Sequence, residues 1–141
     1  MNTIGQVDRA PAKIVVSTIL LSKPGIILSV AFTGFAGMVL ADRGVPSLGL
    51  TVLAVLSLLL SAAGSAILNN VLDKQIDTLM SRLSKRVDAL EVVGERTATV
   101  VSLSFIIISL FISFYYLNAA NGLLILAAIL SYTILYTLYL M

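Results

Sequence analysis

Asn69, Asp73 and Asp77 stand at i, i+4 and i+8 in the run Asn-Asn-Val-Leu-Asp-Lys-Gln-Ile-Asp. On a helix each step of four residues drifts by about 40°, so the three side chains project from one stripe within an arc of about 80°. Two carboxylates and an amide then face the same way. Such a stripe offers hard oxygen ligands to Mg²⁺, which takes one or two carboxylates and completes its shell with substrate phosphate oxygens and water. A diphosphate is the natural third party. The same spacing also describes a solvated helix end with no ligand. Against that reading, like charges at i, i+4 repel by about a few tenths of a kcal/mol, and Asp near a helix C-terminus opposes the helix dipole. A cation between the carboxylates cancels both costs.

Lys74, Arg82, Lys85 and Arg86 follow closely. Cations beyond a carboxylate stripe can hold the outer oxygens of a phosphate chain, Arg in bidentate fashion. A cytoplasmic loop of a membrane protein carries the same residues without any ligand, so both readings stand for them. Lys23 precedes an apolar run, where snorkelling to lipid phosphates is its default role. Tyr132, Tyr136 and Tyr139, at i, i+4 and i+7, form a stripe that packs or lines a cavity. Gly34, Gly37, Gly64 and their neighbours Ala62, Ala63, Ser65 and Ala66 allow close helix approach.

These residues need a scaffold, and the composition says which. Of 141 residues, 59% are hydrophobic and only 11% charged, with a mean hydropathy of +1.06. A soluble domain carries roughly 25% charged residues to solvate its surface. Apolar runs of about 20 residues, each able to cross a hydrocarbon core, suit this composition instead. The expected elements are four antiparallel spans, at residues 25–41, 48–78, 97–117 and 122–141. Lys23-Pro24 predicts a kink or restart before the first. The second is expected to run unbroken through Asn69–Met80, carrying the polar stripe past the bilayer surface. Residues 81–96 form the long hydrophilic loop, with a short amphipathic helix as an option, and Asn118–Asn121 a tight turn. The fold class is therefore all-α, a polytopic membrane bundle of one domain.

Eight of the nine basic residues, Arg9, Lys13, Lys23, Lys74, Arg82, Lys85, Arg86 and Arg96, fall on one face of this arrangement, and only Arg43 on the other. That imbalance predicts a cytoplasmic N-terminus and 81–96 loop, in the plasma membrane. A net charge of +2, dispersed along the chain, excludes a nucleic-acid footprint. With no Cys and no His, thiol chemistry, disulfides and the usual near-neutral acid or base are excluded too. The polar Met1–Pro11 segment shows no cleavable signal, so the mature chain is expected to be this one.

Three stretches resemble the protoheme IX farnesyltransferases, or heme O synthases, a family of the intramembrane UbiA-type prenyltransferase superfamily. Leu21-Ser22-Lys23-Pro24-Gly25-Ile26-Ile27 with Gly37-Met38-Val39-Leu40-Ala41 is similar to that family's first span. Asn69 through Asp73, Asp77, Met80, Arg82 and Arg86 resembles its first Asp-rich motif and the basic tail behind it, and Tyr136-Thr137-Leu138-Tyr139-Leu140 the end of its fourth span. The resemblance implies transfer of a farnesyl group from farnesyl diphosphate to protoheme IX, giving heme O on the way to heme A. It implies that Asp73 and Asp77 carry the catalysis, that Asn69, Asp73 and Asp77 hold Mg²⁺, and that Asn69, Lys74, Arg82, Arg86 and Lys23 contact the diphosphate. The family has a second half with another Asp-rich motif. Gln75 stands where an Asp is common, off the ligand stripe, and Met141 where a Lys is usual. The expectation is an N-terminal half: a fragment, a partner of a second half-fold polypeptide, or an inactive remnant. A non-catalytic four-helix membrane subunit and a transferase acting on a quinone precursor are the alternatives.

Overall fold

Lys23 and Pro24 divide the first apolar stretch into two helices, as the missing proline donor requires. In the computed structural model, which describes residues 10–140, α1 (Pro11–Leu21) ends one turn before α2 (Pro24–Asp42) begins. Lys23 adopts left-handed backbone angles at the join, with φ 57°. At 11 residues α1 is about 16 Å long, too short to span, and it packs on α5 instead. Arg9 and Met141 lie outside the described residues.

Arg43, also left-handed, closes α2, and α3 (Leu48–Leu72) returns antiparallel to it. The expectation of one unbroken helix to residue 78 is corrected here: α3 stops at Leu72, Asp73 has ψ 3°, and a single turn, α4 (Lys74–Asp77), follows. Met80 is extended and turns the chain into a 3₁₀ turn (Ser81–Leu83) and α5 (Ser84–Val93). The hydrophilic segment is thus mostly helix, ended by Gly94 at φ 84°, where an L side chain is strained.

The third apolar stretch is α6 (Glu95–Ile112), prolonged by a π-helical turn (Ser113–Leu117). The expected turn at Asn118–Asn121 shrinks to one residue: the Asn118 side chain accepts from the Asn121 amide at 2.7 Å and caps α7 (Ala119–Leu130). A second π-helical turn (Ser131–Leu135) leads to α8 (Tyr136–Leu140). Pro24–Asp42, Leu48–Leu72 and Glu95–Leu117 are each long and apolar enough to cross a membrane, and Ala119–Leu135 is a shorter apolar helix. With no strand among the described residues, the chain is an all-α polytopic membrane protein.

The central contact is α3 on α6. A Cβ on Gly64 would lie 2.9 Å from the Ser102 carbonyl oxygen, so only glycine lets these backbones approach as they do. The buried Ser109 hydroxyl adds a bond to the Ser57 carbonyl at 2.7 Å. Gly34 likewise abuts Leu58, but Gly37 faces open space and packs against nothing. Around the end that carries the polar stripe, Leu21, Ile67, Ala89, Leu90, Val93 and Ala98 form one core, tying α1, α3, α5 and α6 together.

Candidate functional site

Asn69, Asp73 and Asp77 lie together at the end of α3 and in α4, only 1%, 3% and 6% exposed. The break at Asp73 does not scatter them, because the backbone bonds Asp73 N–H to Asn69 O and Asp77 N–H to Asp73 O persist, each at 2.9 Å. The Asn69 amide donates to Asp73 Oδ2 at 2.8 Å. That bond orients both groups and leaves Asn69 Oδ1 and Asp73 Oδ1 buried without a partner. A buried oxygen left unpaired costs about 1–3 kcal/mol, so two side by side mark a place short of a cation or a donor. Burial, then the neighbouring Asp77 carboxylate, hold the Asp73 carboxyl above its ordinary pKa. Among the described residues no three His, Cys, Asp or Glu side chains form a metal cluster by themselves. Two carboxylates and an amide form an incomplete oxygen set, of the kind that a phosphate and water complete around Mg²⁺.

The consecutive asparagines do different work. Asn70, which sequence reasoning passed over, donates its amide to the Leu21 carbonyl at 2.7 Å and is 2% exposed. It anchors the end of α1 to α3, and so holds Lys23 close to the stripe. Lys23 Nζ donates to the Tyr132 hydroxyl at 3.3 Å and lies 5.4 Å from the Tyr136 ring centroid. Its charge is felt by Asp73. Partial burial, reinforced by the Arg86 charge, lowers the Lys23 pKa. The two tyrosines stack with centroids 5.7 Å apart, and Tyr139, 94% exposed, lines one open groove of about 590 Å³ together with them.

Asp77 opens into a cavity of about 360 Å³ lined also by Ile76, Met80, Arg82, Leu83, Arg86 and Tyr136. Arg82 and Arg86 therefore face the carboxylate stripe, with the α5 helix and the turn before it supplying them. Lys74 does not. One residue beyond Asp73, it pairs with Glu95 at the start of α6, and that hydrogen bond raises its pKa. Gln75 is exposed, off the stripe.

Residues 30–141 match the UbiA prenyltransferase family. The chain is 43% identical over 102 residues to the protoheme IX farnesyltransferase of Geotalea uraniireducens (strain Rf4), covering 72% of this chain and 39% of that protein. It is 38% identical over 122 residues to that of Aquifex aeolicus (strain VF5), covering 86% and 42% respectively. The protein of the same name from Streptomyces avermitilis is 35% identical over 122 residues, covering 86% and 40%. The chain thus spans about two fifths of the length of the curated relatives it matches. No solved structure matches it. With 112 of its residues inside the matched range, this chain belongs to the UbiA prenyltransferase family.

Proposed function

We propose that this chain supplies the first Asp-rich half of a protoheme IX farnesyltransferase, moving a farnesyl group from farnesyl diphosphate to protoheme IX to give heme O. The observation that carries the reading is the pair of buried, unpartnered oxygens on Asn69 and Asp73 beside the Asp77 carboxylate. Asn69, Asp73 and Asp77 would hold Mg²⁺, which supplies charge neutralisation to the diphosphate. Arg82 and Arg86, across the shared cavity from Asp77, take the outer phosphate oxygens. Lys23, adjoining the stripe, adds a further positive charge. Breaking the allylic C–O bond leaves both electrons on the diphosphate, and these cations stabilise that developing charge. Tyr132 and Tyr136 screen the region from water on the fourth-stretch side, which protects an allylic cation until the vinyl carbon donates to it. Lys74, held by Glu95, takes no part.

The membrane is the plasma membrane, with the 81–96 loop cytoplasmic. Because the chain covers two fifths of its relatives, turnover requires the remaining half, on the same or a second polypeptide. Hydrogen exchange on a preparation containing both halves tests the assignment. Mg²⁺ with farnesyl diphosphate should slow exchange across residues 69–86, and Asp73→Asn should abolish the protection together with heme O formation. Unchanged exchange in the unmodified protein would overturn the reading. Heme O formation unaffected by Asp73→Asn and Asp77→Asn would instead favour a non-catalytic subunit.

A further inference from the structure

Arg82, Leu83 and Arg86 form a wall with a cavity on each side. The inner one holds Asp77. The outer one, of about 400 Å³, is completed by Leu20, Lys23, Pro24, Gly25, Ile26 and Lys85. Its lining contains four cations and no carboxylate. Among the described residues none of Arg82, Lys85 and Arg86 forms an ion pair, and Lys23 spends one of its three donors on Tyr132. The apolar edge is open: Leu20 and Ile26 are 45% and 49% exposed, and a Cβ on Gly25 would meet nothing. A membrane-facing imbalance of charge accounts for the sign of these residues. It does not account for their convergence from three separate elements, the α1–α2 join, the 3₁₀ turn and α5, around one hollow. Like charges so held repel one another, and an anion among them removes the repulsion.

We propose that the outer cavity is a metal-independent phosphate site, distinct from the Asp-rich stripe, shaped for a phosphate anion carried on an apolar body at the start of α2. A membrane phospholipid headgroup and phosphate free in solution present the same chemistry to it. The site shares Lys23, Arg82 and Arg86 with the proposed diphosphate site and differs from it by Lys85 and by the lack of a carboxylate in its lining, so it needs no divalent ion.

The test is lipid retention by the full chain in detergent with EDTA, read by native mass spectrometry. Phosphatidylglycerol should be retained over phosphatidylcholine of the same acyl chains. Lys85→Gln, which changes the outer cavity alone, should weaken phosphatidylglycerol roughly fivefold, the worth of one cation near an anionic surface. Arg96→Gln carries the same change in net charge away from the cavity and should leave binding unaltered, as should Asp73→Asn. Displacement of the lipid by inorganic phosphate, to the same extent in the unmodified protein and in Asp73→Asn, would support the site with free phosphate as its source; retention against it would support the lipid headgroup. Equal retention of the two lipids, or equal weakening by Lys85→Gln and Arg96→Gln, would overturn the proposal, since diffuse surface charge then explains the binding.

Discussion

Neighbouring asparagines separate structure from ligand binding at the resolution of single residues. Removing the Asn70 amide leaves the buried Leu21 carbonyl unpaired, so Asn70→Ala should destabilise the metal-free chain by about 1–3 kcal/mol. Thermal unfolding in detergent should register that loss with or without Mg²⁺. Asn69→Ala, which also strips the buried Asp73 Oδ2 of its donor, should in addition reduce the rise in unfolding temperature that Mg²⁺ and diphosphate produce. Asp73 adds a pH signature. Its carboxyl is held above the usual pKa by burial and by Asp77. Stability from protonation is therefore full below the unfolded carboxyl's pKa and lost as pH rises through the folded one. In EDTA, the stability advantage of unmodified protein over Asp73→Asn should fall as pH rises above the ordinary carboxyl range of about 4; a flat difference would overturn the raised Asp73 pKa. The clustering of Asn69, Asp73 and Asp77 was legible from spacing alone, because the backbone bonds that enforce a four-residue repeat survive the break at Asp73. The partner of Lys74 was not legible from proximity in sequence: one residue is about 100° of helix rotation, enough to bring it to Glu95.

At the scale of elements, α3 is positioned by its seam with α6, and glycine decides how close the two lie. Gly64→Ala should cost about 1–3 kcal/mol, because the added carbon meets the Ser102 carbonyl and Ile106 at under 3 Å. Gly37→Ala, with nothing within 4 Å, should be neutral or stabilise by up to about 1 kcal/mol through helix propensity. Unfolding temperatures of the two variants, measured side by side, check the contrast; equal losses would mean that the seam is looser than described. Composition and small-residue spacing flagged both glycines alike, since a sequence shows which positions permit close approach and not which of them has a neighbour. The same gap explains the ends of the elements. Nothing in Asn69–Met80 is a helix breaker, and the interruption at Asp73 coincides with side-chain bonds, Asn69 to Asp73 and Asn70 to Leu21. The early start of α7, by contrast, was readable: Asn118 is a strong N-cap residue three before the amide it accepts.

For the molecule as a whole, the charge distribution and the path of the chain make one claim about the bilayer. α2 has no buried residue and exposes Leu28, Phe32 and Leu40, as expected of a helix whose solvent is lipid or a further protein element. The α2–α3 turn carries Arg43 alone, while Lys23, Arg82, Lys85 and Arg86 gather at the opposite end around the carboxylate stripe. Each cation near an anionic leaflet is worth about 1 kcal/mol, so the stripe end should face the cytoplasm and the Arg43 turn the other side. Because the chain has no cysteine, single substitutions report orientation without background. In sealed inverted vesicles, Ser84→Cys should react with a membrane-impermeant maleimide and Gly44→Cys should not; in intact spheroplasts the pattern should reverse. Adding lysines at the turn, Val45→Lys with Ser47→Lys, should shift part of the population to the opposite orientation, visible as labelling of Ser84→Cys from both sides. Labelling of Gly44→Cys from the cytoplasmic face in the otherwise unmodified chain would place the proposed diphosphate site on the outside and reverse the side from which the proposed substrate arrives.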